Sequence, residues 1–432
     1  MSDQQPSRRA RRAWYLYDAG NSAYAAVVLL AIYATYFKET VVGGALGTFY
    51  WGIAVTTATA IVAVISPILG TIADVSGLKK RFLGLFTLIA CGFTASLFFV
   101  TEGAIFLGMA LFILAEAGYR SAQVFYNSFL PEIASDSQMG RVSGNGWAIG
   151  SAGGVLCLLI VLAAVKLIGG AMIVRLSMVF TALYFAAFAA PLFLRLRELG
   201  ERRPLPRGRE LVALPFKRLA ETIRAARQHR EFGKFLLAFL IYNEGILITL
   251  SYGAILGATL FGLAQEQIII FMILVQVASI PGAFFPGLMI GRLGVRNTLL
   301  FSLAGMVGAI VWLFFARNIM AFYVIGAIAG FSLTGAQSVS RATVGLLAPK
   351  GRSAEFYGFF AVAGRTSSAV GPAIFGAIAF HVANVLERGG QTVVLAEQIA
   401  LRYALFSILA FLFGGAALLL TTTAKAGRRA KD

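Results

Sequence analysis

The chain has 432 residues, 59% apolar and only 13% charged, against about 25% charged in an average soluble domain. Over so long a chain that deficit excludes a soluble globular protein and a disordered one, and reads as a polytopic membrane protein. A net charge of +18 would ordinarily raise nucleic acid as a partner. Here the basic residues sit in short stretches between long apolar runs, the pattern of topology control, so no nucleic-acid partner is expected.

A spanning helix needs about 20 predominantly apolar residues, and twelve such runs follow one another. The first six are Trp14–Phe37, Thr48–Val75, Phe82–Thr101, Ala104–Asn127, Val142–Leu167 and Met172–Leu194. The second six are Phe232–Leu256, Gln265–Ile290, Asn297–Ala316, Ile319–Leu346, Ser353–Phe380 and Ala400–Thr422. The predicted fold class is therefore an all-α membrane protein, two six-helix bundles over 14–194 and 232–422. Flanking them are a short N-terminal segment, 1–13, a linker, 195–231, and a tail, 423–432.

Arg8, Arg9, Arg11 and Arg12 read as a cytoplasmic anchor for the first helix, with no cleavable signal peptide expected ahead of it. Counting residues at span ends with the adjoining loops, the side of the termini carries 28 Lys and Arg and the opposite side 6, and three more lie deep inside spans. That ratio predicts both termini in the cytoplasm and a multi-pass protein of the inner (plasma) membrane. In the linker, Pro204, Pro206 and Gly208 read as extended chain. From Pro215, Phe216, Leu219, Ala220, Ile223 and Ala226 recur at helical spacing between basic residues. That is a helix lying on the membrane surface, or else a solvated linker helix.

The two sets of six repeat. Gly70-Thr-Ile-Ala-Asp74-Val-Ser-Gly77-Leu-Lys79 precedes the third span, and Gly287-Leu-Met-Ile-Gly291-Arg292-Leu-Gly294-Val-Arg296 precedes the ninth, shifted by 217 residues. Tyr17-Asp18 in the first span matches Tyr242-Asn243 in the seventh, and Pro131 matches Pro349. Three matches in chain order at similar shifts argue for a duplication. Two parallel six-helix halves are a transporter architecture, with the substrate site near the midplane between them.

The Gly70–Arg81 segment resembles the loop signature of the major facilitator superfamily, departing at Val75 and Leu78. Trp14-Tyr-Leu-Tyr17-Asp18-Ala-Gly-Asn21-Ser22-Ala-Tyr24 resembles the opening of the vacuole-effluxer-like family, relatives of a yeast autophagy protein implicated in amino-acid efflux. Phe129-Leu-Pro131-Glu132, Gly140-Arg141-Val-Ser-Gly144-Asn-Gly146-Trp147 and Tyr242-Asn243-Glu244-Gly245 resemble it too. Ala19, Gly20 and Glu244 depart from its pattern. The resemblance implies a twelve-helix transporter exporting amino acids or a related zwitterion. It also implies that Asp74, with Gly70, Gly77 and Lys79, joins the two halves on the cytoplasmic side and biases the outward-open state.

Ionisable residues inside a span are functional candidates by default. Here they are Asp18, Glu116, Arg120, Glu244, Arg341 and Arg365. Asp18, Asn21, Ser22 and Ala25 fall on one helical face, flanked by Tyr24. That face either packs on a neighbour through small residues or lines the transport path. Glu116 and Arg120, four apart, neutralise each other, or Arg120 exchanges between Glu116 and Asp18; Gln123 continues their side. Gln337 and Arg341 repeat this face in the second half. Arg365 and Glu244, at matching depth, pair with each other, or Arg365 holds a substrate carboxylate with its fork. Trp147 among glycines either reaches the cavity or packs on helix eight, and Asn243 beside Glu244 suggests a loosened helix seven. Trp14, Trp51 and Trp312 read as interfacial anchors; Glu132 and Glu355 are available partners for Arg141 and Arg352, with solvated surface charge the favoured reading of each.

Cys91 and Cys157 lie in apolar runs, and His229 and His381 are far apart, so neither a metal nor another cofactor is expected. No Walker motif is present. The reading is a secondary-active transporter, not an enzyme, a monomer moving a small polar solute by alternating access. Proton coupling through Glu116, Glu244 or Asp18 and plain facilitated diffusion both remain open, since a desolvated carboxylate titrates nearer neutrality. A membrane-embedded enzyme acting on a lipid or small metabolite is the competing class. It would need clustered catalytic groups at one interface, whereas these charges spread over both halves.

Overall fold

A computed structural model describes residues 8–196, 230–263 and 265–422; the linker helix expected from Pro215 lies outside the described residues. Helices α1 to α6 are Arg8–Val42, Gly44–Ser76, Lys79–Ser96, Ile105–Ser128, Met139–Ile168 and Gly170–Arg195. Next comes α7, Arg230–Phe261, then one unbroken helical run, Gln265–Phe315. That run is two helices, α8 and α9, meeting at Gly294, whose φ of 77° only glycine adopts without strain. Helices α10, α11 and α12 are Ile319–Leu347, Ser353–Arg388 and Val393–Leu420. Eleven described helices are long and apolar enough to cross a membrane, one of them this bent pair, which is how twelve apolar segments fit eleven helices.

The helix ends follow local chemistry. Gly77 closes α2 in the left-handed conformation, returning its N–H to Ala73. Thr392 caps α12 by accepting from the Leu395 N–H. Past Tyr24, α1 widens into π turns over Ala25–Ala31 and Phe37–Val42, a local loosening often found at functional positions. Large apolar side chains such as Leu88, Phe106, Leu183, Phe380 and Phe413 face outward. In water that would be an aggregation hazard; against lipid it is the expected surface.

Two compact units form. The first holds residues 1–135, 145–224 and 348–362, and the second 136–144, 225–347 and 363–432. Each unit thus includes a short segment from the other half of the sequence: the first turns of α5 belong with the second unit, and the first turns of α11 with the first. In the first unit α1 packs on α6 and α3 on α4; in the second α7 packs on α12, and both α8 and α9 pack on α10.

The repeat is visible in equivalent basic tethers. Lys80 Nζ donates to the Leu196 carbonyl at 2.7 Å, joining the start of α3 to the end of α6. Arg296 does the same from α9 to the Thr422 carbonyl at 3.2 Å. At the other ends of these helices, Arg175 sits 5.4 Å from the Phe98 ring. Its counterpart Arg402 donates to the Leu313, Phe314 and Ala316 carbonyls. Each cation meets the partial negative charge or unpaired carbonyls of a helix C-terminus, or an aromatic face beside it.

Trp14 is not an interfacial anchor. It is fully buried, donates Nε1 to the Tyr126 carbonyl at 2.9 Å and stacks on that ring at 4.5 Å. The Tyr126 hydroxyl donates back to the Trp14 carbonyl at 3.1 Å, so the pair bolts α1 to α4. The sequence offered an aromatic at a span end and no sign of a partner 112 residues away.

Candidate functional site

In the first unit the intramembrane charges gather between α1, α4 and α5. Arg120 Nε donates to Glu116 Oε1 one turn back on α4. Glu116 is sealed completely, and the Arg120 side chain is 11% exposed. Breaking such a pair from one side leaves a bare buried charge. Tyr24 faces the Glu116 carboxylate from α1 and stacks on Tyr119 at 4.4 Å. Gln123 donates to the Tyr119 hydroxyl at 2.9 Å, continuing the polar side of α4.

Asp18 and Asn21 are both buried. Asp18 and Ser22 press against the glycines of α5: a methyl group on Gly150 would come within 3.0 Å of Asp18 Cγ and of Ser22 Oγ. This part of the α1 face therefore packs on a neighbour through small residues. Asn21 Oδ1 and Glu116 Oε2 have no hydrogen-bond partner among the described residues. The ion pair of Arg120 in this conformation is with Glu116. Trp147 lies half-buried on α5.

The second unit has the neutral version. Gln337 on α10 donates Nε2 to Asn243 Oδ1 on α7 at 2.9 Å, and the Tyr242 and Ser340 hydroxyls share a hydrogen bond at 2.6 Å. Arg341 turns to the start of α5, donating Nε to Ser143 Oγ at 3.0 Å and a second nitrogen to the Ser143 carbonyl. Ser143 Oγ in turn donates to the Ser338 carbonyl at 2.7 Å. Glu244 Oε2 accepts from the Gly371 N–H on α11 at 2.6 Å. Eight residues on, Tyr252 donates to the Pro372 carbonyl at 3.2 Å. Helix α7 thus grips α11 at its proline and at the residue before it, where the helical ladder is already interrupted. The side chain of Arg365 lies outside the described residues, so its expected pairing with Glu244 stays an expectation.

The Gly70–Lys79 loop holds the start of α11. Asp74 accepts from the backbone N–H groups of Ala354 at 3.2 Å and Glu355 at 2.7 Å, and pairs with Lys79 at 3.0 Å. It caps a helix N-terminus from another part of the chain, where the dipole favours an anion. Lys79 also reaches Glu132 at 2.9 Å and donates to Ser353 Oγ at 2.8 Å. Gly70 permits the approach, since a methyl there would lie 2.6 Å from the Ala354 carbonyl. Glu132 and Glu355 are therefore paired, Glu355 with Arg352 at 2.7 Å, not solvated surface charge. Ser143, Ser353 and Gly371 are what sequence reasoning passed over as partners, and Glu132, offered there to Arg141 or Arg352, pairs with Lys79.

Asp74→Asn removes the charge from this junction and one of its two backbone acceptors. Hydrogen bonds to a charged group contribute about 1.5–3 kcal/mol, so hydrogen exchange at Ala354 and Glu355 is expected to rise by tenfold or more. Exchange unchanged from wild type would mean that Asp74 does not hold this helix start.

Comparison with known proteins places the chain. Residues 50–385 match the family described as "Vacuole effluxer Atg22 like". An "Uncharacterized MFS-type transporter YxiO" of Bacillus subtilis is 30% identical, over 84% of this chain and 87% of its own. "Autophagy-related protein 22" of Yarrowia lipolytica is 24% identical over 71% of this chain, which spans 66% of that fungal protein. Among solved structures the fold is similar to a bacterial homologue of the iron transporter ferroportin in its outward-facing state. That likeness has a TM-score of 0.71 at 12% identity, covering 97% of this chain and all of the other. It is similar also to the human organic anion transporter MFSD10, with a TM-score of 0.71 at 15% identity, covering 96% and 100%. At those identities the structures speak for the fold alone, while the sequence matches carry the family: this chain is a major facilitator transporter belonging to the vacuole effluxer Atg22-like family.

Proposed function

We propose that this protein is a secondary-active exporter of a small polar solute, an amino acid or related zwitterion, working by alternating access with proton coupling. The observation that carries the reading is the buried polar cluster of the first unit. Glu116, Arg120, Asn21 and Tyr24 are held away from lipid at a cost that packing alone does not require. The family's description as effluxers supports the direction. The roles assigned to Asp18, Ser22, Gln123, Trp147, Asn243, Glu244, Gln337, Arg341 and Arg365 as solute contacts belong to the same proposal. So does the gating role of Gly70, Asp74, Gly77 and Lys79, as do a plasma-membrane location, cytoplasmic termini, a monomeric state and the domain division at 195–231.

The test is flux from proteoliposomes loaded with a labelled amino-acid mixture, with and without a pH gradient. Efflux above that of protein-free vesicles, accelerated by the gradient, is the expected result. Efflux indifferent to the gradient would remove coupling and leave facilitated diffusion. No efflux of any amino acid would overturn the solute class.

A further inference from the structure

Helix α8 carries an amide that nothing in its own unit satisfies. Between Ile268 and Gly291 its polar side chains are Gln276 and Ser279. The Ser279 hydroxyl is paired within the helix, donating to the Gln276 carbonyl at 2.6 Å. The Gln276 side chain is exposed, and its amide has no hydrogen-bond partner among the described residues. It lies about 16 Å along the axis from Gln265, near the middle of the span. An amide brings two donors and an acceptor, and hydrocarbon offers a partner to none of them.

The face it occupies decides what it meets. Gln276, Ile280, Ala283 and Gly287 follow one another at helical spacing and share one side of α8. The far end of that side is covered by the start of α5. A methyl on Gly144 would lie 2.6 Å from the Ala283 carbonyl, and one on Gly140 would lie 2.7 Å from the Gly287 carbonyl. A second side meets α10, where Phe271 packs on Gly326 and Val275 on Gly330. The third, with Ile270, Val277 and Leu288 exposed, is the apolar lipid side. Gln276 stands about 100° round the helix from Val277, so it shares the α5 side and not the lipid side. Within the second unit the α5 segment on that side ends at Gly144, and two turns beyond it the face is open at Gln276.

The first repeat places a hydroxyl at the same point. Gly70 lies against Ala354 at the start of α11 as Gly287 lies against Gly140. The same interval before each glycine stand Thr59, half-buried, and Gln276. A second copy of the chain would meet the apolar stripe of Val277, not this side. An open polar group on this side at mid-span is reached by water and by what travels with it.

We propose that Gln276 is a solute-binding residue of this transporter, with Thr59 as its counterpart in the first repeat. A primary amide fits a zwitterion, since one group holds a donor for the carboxylate and an acceptor for the ammonium. Being neutral, it leaves no bare charge when the solute departs. The nature of the solute rests on the exporter reading above; the access of water to Gln276 does not.

The test uses Gln276→Cys and Val277→Cys, each with Cys91 and Cys157 replaced, in proteoliposomes treated on both sides with a charged methanethiosulfonate. Gln276→Cys is expected to react at least about tenfold faster than Val277→Cys, because the thiolate is the reacting form and lipid suppresses it. An amino-acid mixture should slow that reaction several-fold. Gln276→Leu keeps the bulk and removes every hydrogen-bonding atom. It should raise the solute concentration for half-maximal efflux about tenfold, the effect of one lost hydrogen bond to a charged group. Its unfolding temperature should stay at the wild-type value, because no protein group loses a partner. A lowered unfolding temperature with unchanged half-saturation would make Gln276 a packing residue and overturn the proposal. Failure of transported amino acids to protect Gln276→Cys would overturn it as well. The labelling needs no solute, so equal reactivity of the two cysteines rejects the assignment whether or not efflux is seen. Fast reaction at 276 in a protein that moves no amino acid would instead reject the solute class and keep Gln276 on the path.

Discussion

Arg120→Ala is expected to cost about 3–5 kcal/mol of stability, the range for removing one partner of a buried ion pair. The cost arises because Glu116 is sealed on all sides and its ion pair is with Arg120. Thermal unfolding in detergent or nanodiscs reads the loss directly. Adding Glu116→Gln should recover most of it, since the double variant leaves no bare charge and places an amide where Gln337 stands in the other repeat. The four proteins form a cycle whose coupling energy belongs to the pair. A loss below about 1 kcal/mol for Arg120→Ala, with no recovery in the double variant, would place the pair in contact with water, as an exposed salt bridge behaves.

The second large effect is steric. Gly287 on α8 and Gly140 at the start of α5 are in backbone contact within the second unit. A methyl on Gly287 would lie 2.6 Å from the Gly140 carbonyl and 3.0 Å from Gly144 Cα. Neither obstacle is a flexible side chain, so Gly287→Val can be accommodated only by moving one helix. Overpacking of this kind costs about 1–3 kcal/mol. The cheapest relief is to expel residues 136–144, losing the bonds of Ser143 to Arg341 and Ser338. With Cys91 and Cys157 replaced, a cysteine at position 143 should react with an aqueous thiol reagent at least about tenfold faster in Gly287→Val, the factor that 1.4 kcal/mol represents. Equal rates would show that the glycine contact does not hold this segment.

The twelve apolar segments were legible because lipid imposes a composition on every residue of a span, and length does the rest. The duplication was legible too, since Gly70 and Gly77 recur as Gly287 and Gly294 for backbone reasons: close approach in one case, a positive φ in the other. An i,i+4 relation such as Glu116 to Arg120 can be read from spacing alone, because a helix turns 3.6 residues at a time. That pair is present as spaced.

Partners on different helices were not legible, because side-chain direction and helix rotation are set by packing against neighbours that the linear order does not name. Trp14 looked like an anchor at a lipid interface and is buried on Tyr126. Glu132 looked like surface charge, and tertiary contact gives it Lys79. Glu244 meets the Gly371 N–H, a backbone group that carries no trace in a side-chain pattern. Ser143 became the ligand of Arg341 only because the first turns of α5 join the second unit. By itself, then, the sequence determined how often the chain crosses the membrane, that it is built twice, and which charges are too costly to be idle. Only the tertiary structure decided which charge meets which partner, since a buried ion or hydrogen bond is satisfied through space and by whichever group the packing brings within 3 Å or so.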